Sequence, residues 1–296
     1  MHYRGGWVWN RGRRQAMGLC LLAALVGVVE AQQPAEWTQP QAPVRIFGNT
    51  YYVGTRGLGA ILIASPTGAV LIDGAVREAA EQIARNITAV GVRLQDVRLI
   101  LNSHVHEDHA GGIAELQRRT GAVVAATAWS ARVLRDGRKD PADPQFATST
   151  PPAPRVATVR TVRDGEVLRA GAVAITARLT GGHTPGGTTW TWRSCEGGRC
   201  LDLVYADSLT AVSADGFRFT DSAAALGEFR RSFSVLRAMS CDILLTPHPE
   251  ASDLWARVAR REAGEPDALI DRSRCASYAD RAEAQLRLRL EREAAR

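Results

Sequence analysis

From Val44 onward, short apolar runs alternate with turn residues. The runs "VRIF", "TYYVGT", "AILIAS" and "AVLID" are broken by Gly48-Asn49 and by Pro66-Thr67-Gly68, which predicts an antiparallel meander ending at Asp73. Residues 77–89 have helical character, and the apolar stretch "VRLILNS", ending at Ser103, reads as a buried strand. A helix over 112–119, a strand "AVVAAT" and a short helix over 129–135 follow. The segment 136–154, rich in Asp and Pro, is the longest expected loop. It is either a border of a functional site or a solvated connector.

The second half follows the same logic. "VATVRTV", "AVAITARL", "TTWTW" and "DLVYADS" read as strands, followed by a helix over 223–239, the strand "CDILLTP", and helices over 254–262 and 276–295. In the last of these, Leu286, Leu288 and Leu290 recur at a strand period and cannot share one helical face. Its Ala, Arg, Glu and Leu content nevertheless favours helix. The whole pattern predicts an α/β fold: two sheets face to face, helices on the outer faces, and each half presenting its polar clusters at the same edge.

Ahead of this, Arg4, Arg11, Arg13 and Arg14 precede an apolar run over 17–29 and then small residues, the layout of an export signal. The run is too short to read as a bilayer span. Cys20 lies inside it, a poor position for lipid attachment. Residues 1–31 are therefore expected to be a signal peptide. The mature chain would begin near Gln32 and form a single domain over 32–296, in the periplasm or secreted, with no stable membrane anchor. The net charge of +6 includes the four export arginines, and no dense Arg/Lys block is present, which argues against a nucleic-acid partner. Nothing demands a partner subunit, so a monomer is expected.

Cys195, Cys200, Cys241 and Cys275 lie beyond the export segment. An even number in an oxidising compartment favours two disulfides, one closing the hairpin loop around "EGGR" and one tying a strand start to a late helix. The competing reading is a separate Cys/His zinc site.

The chemistry sits in the histidines. All but His2 fall in three polar clusters: "NSHVHEDHAGG" with His104, His106 and His109, "TGGHTPGG" with His183, and "LLTPHPE" with His248. With Asp108 they make six candidate ligands, enough for two zinc ions. The two-residue offset of His104 and His106 is a strand or loop spacing, unlike a helical HExxH. His104, His106 and His183 form one three-imidazole set that leaves a position for water, and Asp108, His109 and His248 form a second. Two zincs close together are a hydrolytic design. Glu107, between ligands on a turn, is expected to point away as a rim charge, and Asp73 to orient a ligand histidine through its other nitrogen.

The segments "SHVHEDHAGG", "GGHTPGG" and "TPHPE" resemble the metallo-β-lactamase superfamily. "PVRIFGNTYYVGTRGLGAILIASPTGAVLIDG", "LVYADSLTAV" and "CDILLTPHP" are similar to its subclass B3. The resemblance runs from about Trp37 to the final helix and includes the Cys241 to Cys275 pair. It implies an αββα sandwich with two zincs in the groove between its halves, hydrolysing the β-lactam amide bond of penicillins, cephalosporins and carbapenems. It implies the two ligand sets named above, and a metal-bound hydroxide held in part by Asp108 as the nucleophile. Leaving-group protonation would come from bound water. Ser208 and Thr210 stand where the B3 pattern has hydroxyls that meet the substrate carboxylate, with Thr210 replacing the usual serine. An alternative within the superfamily is a secreted dizinc thioesterase or lactonase, in which Asp207 would bridge both metals. A non-catalytic zinc protein would need a saturated coordination shell.

Overall fold

Burial with period two divides the strand side chains between different cores, and this division sets the layers. The computed structural model describes residues 1–2 and 33–295. The expected signal peptide lies outside the described residues. Residues Gln33–Arg296 form one compact unit. Among the described residues no helix is long and apolar enough to cross a membrane.

The first sheet contains β1 (Val44–Phe47), β2 (Thr50–Tyr52), β3 (Ile61–Ile63), β4 (Ala69–Ile72), β5 (Val97–Leu101), β6 (Val123–Thr127) and β7 (Val159–Val162), adjacent in chain order. β1 to β4 pair antiparallel, as the meander pattern predicts, and β4 to β7 pair parallel. The second sheet contains β8 (Val167–Ala170), β9 (Val173–Leu179), β10 (Thr188–Glu196), β11 (Arg199–Tyr205) and β12 (Ile243–Leu245), in spatial order β12-β11-β10-β9-β8. Only its β11–β12 pair is parallel. The helices are α1 (Ala80–Ala89), α2 (Glu107–Ala110), α3 (Ile113–Thr120), α4 (Ala128–Asp136), α5 (Ala223–Ala238), α6 (Leu254–Glu262) and α7 (Arg274–Ala294).

Ile61, Ile63, Val70 and Ile72 point inward to meet Ile175, Trp190, Leu203, Ile243 and Leu245 of the second sheet. Their neighbours Leu62, Ala69 and Leu71 point outward and pack with Ile83, Ile87, Ile113 and Leu134 of α1, α3 and α4. On the other side Val204 and Leu244 pack with Phe229, Phe233, Tyr278 and Leu286 of α5 and α7. Strands buried on both faces read as continuous apolar runs, which is why "ILI" and "AVLI" are unbroken. The result is the expected αββα sandwich.

α6 carries Leu254 and Val258 into the inter-sheet core, and its Arg257, 2% exposed, lies among backbone carbonyls. The guanidinium donates to Leu244 O and Ser252 O, both at 3.2 Å, to Ala268 O at 3.3 Å, and to Leu269 O. Cys195–Cys200 closes the β10–β11 hairpin, and Cys241–Cys275 joins the approach to β12 to α7.

Candidate metal centre

The ends of β5, β9, β11 and β12 open onto one edge of the sandwich, where ligands of α/β sheets collect. After β5 the chain is tied to β10: Trp190 Nε1 donates to Asn102 O at 3.1 Å, and Thr188 N to Ser103 O at 2.8 Å. His106 stands at the N-cap of α2, and this single helical turn brings Asp108 and His109 beside His104, whose ring centroid lies 4.4 Å from that of His109 and whose ligand atom can lie within 4.8 Å of theirs. Two glycines let α2 sit against the chain leaving β4. A Cβ on Gly112 would lie 2.3 Å from Gly74 O. The sequence reading of a turn at this point becomes a single turn of helix.

His104, His106 and His183 form a near-equilateral triangle with ring centroids 4.8–4.9 Å apart. Each ring has one nitrogen tied to an acceptor. His104 Nδ1 donates to Asp207 Oδ1 at 2.8 Å, and His183 Nδ1 to Thr210 O at 2.8 Å. His106 Nε2 donates to Asp143, 3.0 Å to Oδ2 and 3.3 Å to Oδ1. These bonds fix the tautomers and leave the opposite nitrogens as lone-pair donors. His104 Nε2 is fully buried without any partner. One ligand atom from each of the three rings can be chosen so that all lie within 4.8 Å of one another.

The second set is tighter. Asp108 Oδ2 lies 3.0 Å from His109 Nε2 and 3.3 Å from His248 Nε2, and the two imidazole nitrogens are 3.2 Å apart. A tetrahedron with zinc–ligand bonds of about 2.0–2.1 Å has an edge of about 3.3 Å. Both donor sets, three imidazoles and two imidazoles with a carboxylate, fit zinc.

Electrostatics suit ligation. Burial holds His104 well below the usual histidine range, reinforced by His109, His183 and His106. Burial also lowers His109 and takes His183 down to about 3. These rings are neutral at pH 7, the form that binds metal. Burial alone would raise Asp108, but His109 and His248 beside it hold its carboxyl well below the usual value. Asp207 is pushed up by burial and by Asp73, so the Asp207–His104 pair tends to neutrality.

Several expected roles shift. Asp73 touches no histidine. Its Oδ1 accepts from Ser103 N at 2.7 Å, and its Oδ2 from Ser103 Oγ at 2.6 Å and Tyr205 OH at 2.9 Å. Asp73 therefore holds the strand end while Asp207 orients His104, and burial raises the Asp73 carboxyl to about 7. Asp207, bonded to the Nδ1 side of His104, faces away from the nitrogen that meets His106 and His183. A Cβ on Gly187 would lie 2.3 Å from Asp207 Oδ2, so the second glycine of "PGG" makes room for this carboxylate. Glu107, 4% exposed, is buried rather than a charge at the rim, and accepts from Arg77 N at 3.2 Å and from the Gln33 amide at 3.5 Å. Thr210 lines the cleft, whereas Ser208 is 5% exposed and is not part of the lining.

The cleft encloses ≈ 920 Å³, its open mouth included. Val133, Arg138, Lys139, Asp143, Gln145, Thr148 and 150–153 form one wall, so the long Asp/Pro-rich segment borders the site. Trp37 also lines it, with its ring 6.0 Å from that of His248. Sequence reasoning missed Asp143, the Thr210 carbonyl and Trp37.

The family model described as metallo-beta-lactamase superfamily matches residues 59–270. Among solved structures, the chain is similar to MEM-A1, a subclass B3 metallo-beta-lactamase from a soil metagenome library, with 51% identity, TM-score 0.85 and coverage of 88% of this chain and 99% of that one. It is also similar to the metallo-beta-lactamase MIM-1 from Novosphingobium pentaromativorans, with 41% identity, TM-score 0.81 and coverage of 88% and 93%. A curated relative, named probable metallo-hydrolase, from Burkholderia pseudomallei is 35% identical over 112 residues, which are 38% of this chain and 35% of that protein's length. With the sandwich and its two convergent donor sets, these similarities define the family: the chain belongs to the metallo-beta-lactamase superfamily and, within it, to subclass B3.

Proposed function

We propose that this chain hydrolyses the amide bond of β-lactam rings, with one zinc ion held by His104, His106 and His183 and a second by Asp108, His109 and His248. The observation that carries this reading is the convergence of three donor atoms within 3.0–3.3 Å beside a triangle of oriented, buried imidazoles. The named B3 relatives support the substrate class. Zinc bound there would supply a Lewis acid for the lactam carbonyl and a water of lowered pKa.

The chain's own residues prepare that chemistry. Asp207, Asp143 and the Thr210 carbonyl orient the three imidazoles. Asp108, kept ionised, is the anionic member of the set. Trp37, Val212 and the prolines at 151 and 152 wall the cleft with apolar surface suited to a bicyclic ring, and Thr210 presents its hydroxyl there. Penicillins, cephalosporins and carbapenems are the substrates of this reading, acting on an exported monomer in the periplasm.

The test is hydrolysis of a chromogenic cephalosporin and a carbapenem by zinc-loaded protein, with zinc content measured and chelator as control. Chelator-sensitive opening of both rings is expected, with two zincs per chain. Failure to open either ring by protein holding two zincs overturns the reading in favour of a thioesterase or lactonase.

A further inference from the structure

We propose that Arg138 is a specificity-determining residue that binds a carboxylate of the substrate, an inference that rests on the β-lactam reading above. Five charged side chains other than histidine line the cleft: Glu107, Asp108, Asp143, Arg138 and Lys139. The three acids are committed, Asp108 to His109 and His248, Asp143 to His106, and Glu107 to Arg77 N. Lys139 is committed too. Its Nζ donates to Thr148 O at 2.6 Å and Thr148 Oγ1 at 2.8 Å, closing the loop on itself, with Asp143 nearby.

Arg138 differs. Gly137, with φ 62°, ends α4 and turns the chain so that Arg138 starts the loop at the cleft wall. Other arginines near it are engaged: Arg132 pairs with Asp140 at 2.6 Å, and Arg155 donates to the backbone oxygen of Arg135 at 2.8 Å. Among the described residues Arg138 has no hydrogen-bond or ion-pair partner, and it is exposed. It is the uncommitted cation of the lining.

Penicillins, cephalosporins and carbapenems all carry a ring carboxylate, ionised at neutral pH, and some carry a second on the acyl side chain. The guanidinium fork matches such a group in two parallel hydrogen bonds. Because Arg138 is exposed, the pair contributes no more than an exposed ion pair does, about fivefold in KM. Binding of this kind, equal in ground and transition states, moves KM and leaves kcat nearly constant.

The experiment compares zinc-loaded wild type, Arg138→Gln and Arg138→Lys on two penicillins, one with a neutral acyl side chain and one whose side chain carries a second carboxylate. In Arg138→Gln, KM should rise about fivefold with kcat within about twofold, and Arg138→Lys should recover part of the loss. Raising NaCl from about 0.05 to about 0.5 M should raise KM for wild type but much less for Arg138→Gln. A rise on both penicillins assigns the ring carboxylate, and a rise on the second alone assigns the side-chain carboxylate. Unchanged KM on both, with wild type turning both over, overturns the proposal and leaves the function standing. Wild type holding zinc yet inert on both overturns the function, and the proposal with it.

Discussion

Replacing Asp143 by Ala should weaken zinc binding at the three-histidine set without removing a ligand. Asp143 is 6% exposed, and its carboxylate accepts from His106 Nε2 at 3.0 and 3.3 Å. A hydrogen bond to a charged partner contributes about 1.5–3 kcal/mol. Losing a group that orients a ligand histidine typically costs about 10–100-fold in metal affinity, or about 1.4–2.7 kcal/mol, so the two scales agree. The assay is competition for zinc between the metal-free protein and a chromophoric chelator. Asp143 Oδ1 also accepts from Gln145 N at 2.8 Å, so loosening of the loop must be separated from loss of the histidine contact. Lys139→Met provides that separation, because it frees the loop at Thr148 and leaves His106 alone. Asp143→Asn, which keeps an acceptor, should restore most of the affinity. A zinc affinity of Asp143→Ala within about twofold of wild type would refute the orienting role.

In zinc-free protein the buried imidazoles oppose folding as pH falls from 7.5 to 5.5. His183 is held at about 3, so the unfolded chain takes up a proton below about pH 6.5 that the folded chain refuses, which costs about 1.4 kcal/mol at pH 5.5. His104 and His109, also lowered, act in the same direction, while Asp73, raised to about 7, and Asp207, raised well above the usual carboxylate value, take up protons in the folded chain and act against it. In urea unfolding the stability change on acidification should therefore be about 1 kcal/mol more favourable for His183→Gln than for wild type, and an equal change in both would contradict the assignment to His183. Of the two disulfides, Cys241–Cys275 spans 34 residues and Cys195–Cys200 spans 5. Chain entropy assigns them about 4 and about 2 kcal/mol, so paired Cys→Ser variants should differ in unfolding midpoint in that order. Arg257→Met leaves four carbonyls without a donor and should cost about 3 kcal/mol in urea unfolding, with zinc content unchanged.

The sequence made most of this legible, for identifiable reasons. Runs buried on both faces, such as "AVLI", are apolar throughout and bounded by turn residues, so their strands were readable. β8 was not foreseen, because "VLRA" buries only Leu168 and Ala170 and shares its polar texture with the turns around it. In α7 the strand-like spacing of leucines resolves as helix: Leu286 is buried while Leu288 is 49% exposed, so residues two apart fall on different faces. The histidine clusters announced themselves because ligands of one centre had to be gathered from neighbouring residues. Asp143 gave no signal, being one aspartate among several in a polar loop, and its contact with His106 depends on a fold 37 residues long. Thr210 was singled out for its hydroxyl as a substrate contact, while in the structure its backbone oxygen at 2.8 Å and its hydroxyl at 3.2 Å both meet His183 Nδ1, a contact that depends on a fold 27 residues long.

Trp37 belongs to a stretch of chain pinned at its backbone, Gly57 N donating to Glu36 O at 2.9 Å and Arg56 N to Gln39 O at 3.0 Å, and by the Gln33 amide on Glu107. The start of the compact unit is thus part of the cleft's masonry, and any trimming of the chain there would change the cleft's shape. A cut after residue 31 leaves Gln33 and Trp37 at the rim, whereas a cut six residues later removes one wall and bares His248. Two proteins of identical sequence in every strand and every histidine, differing only in where a peptidase stopped, would present different openings to the same molecule.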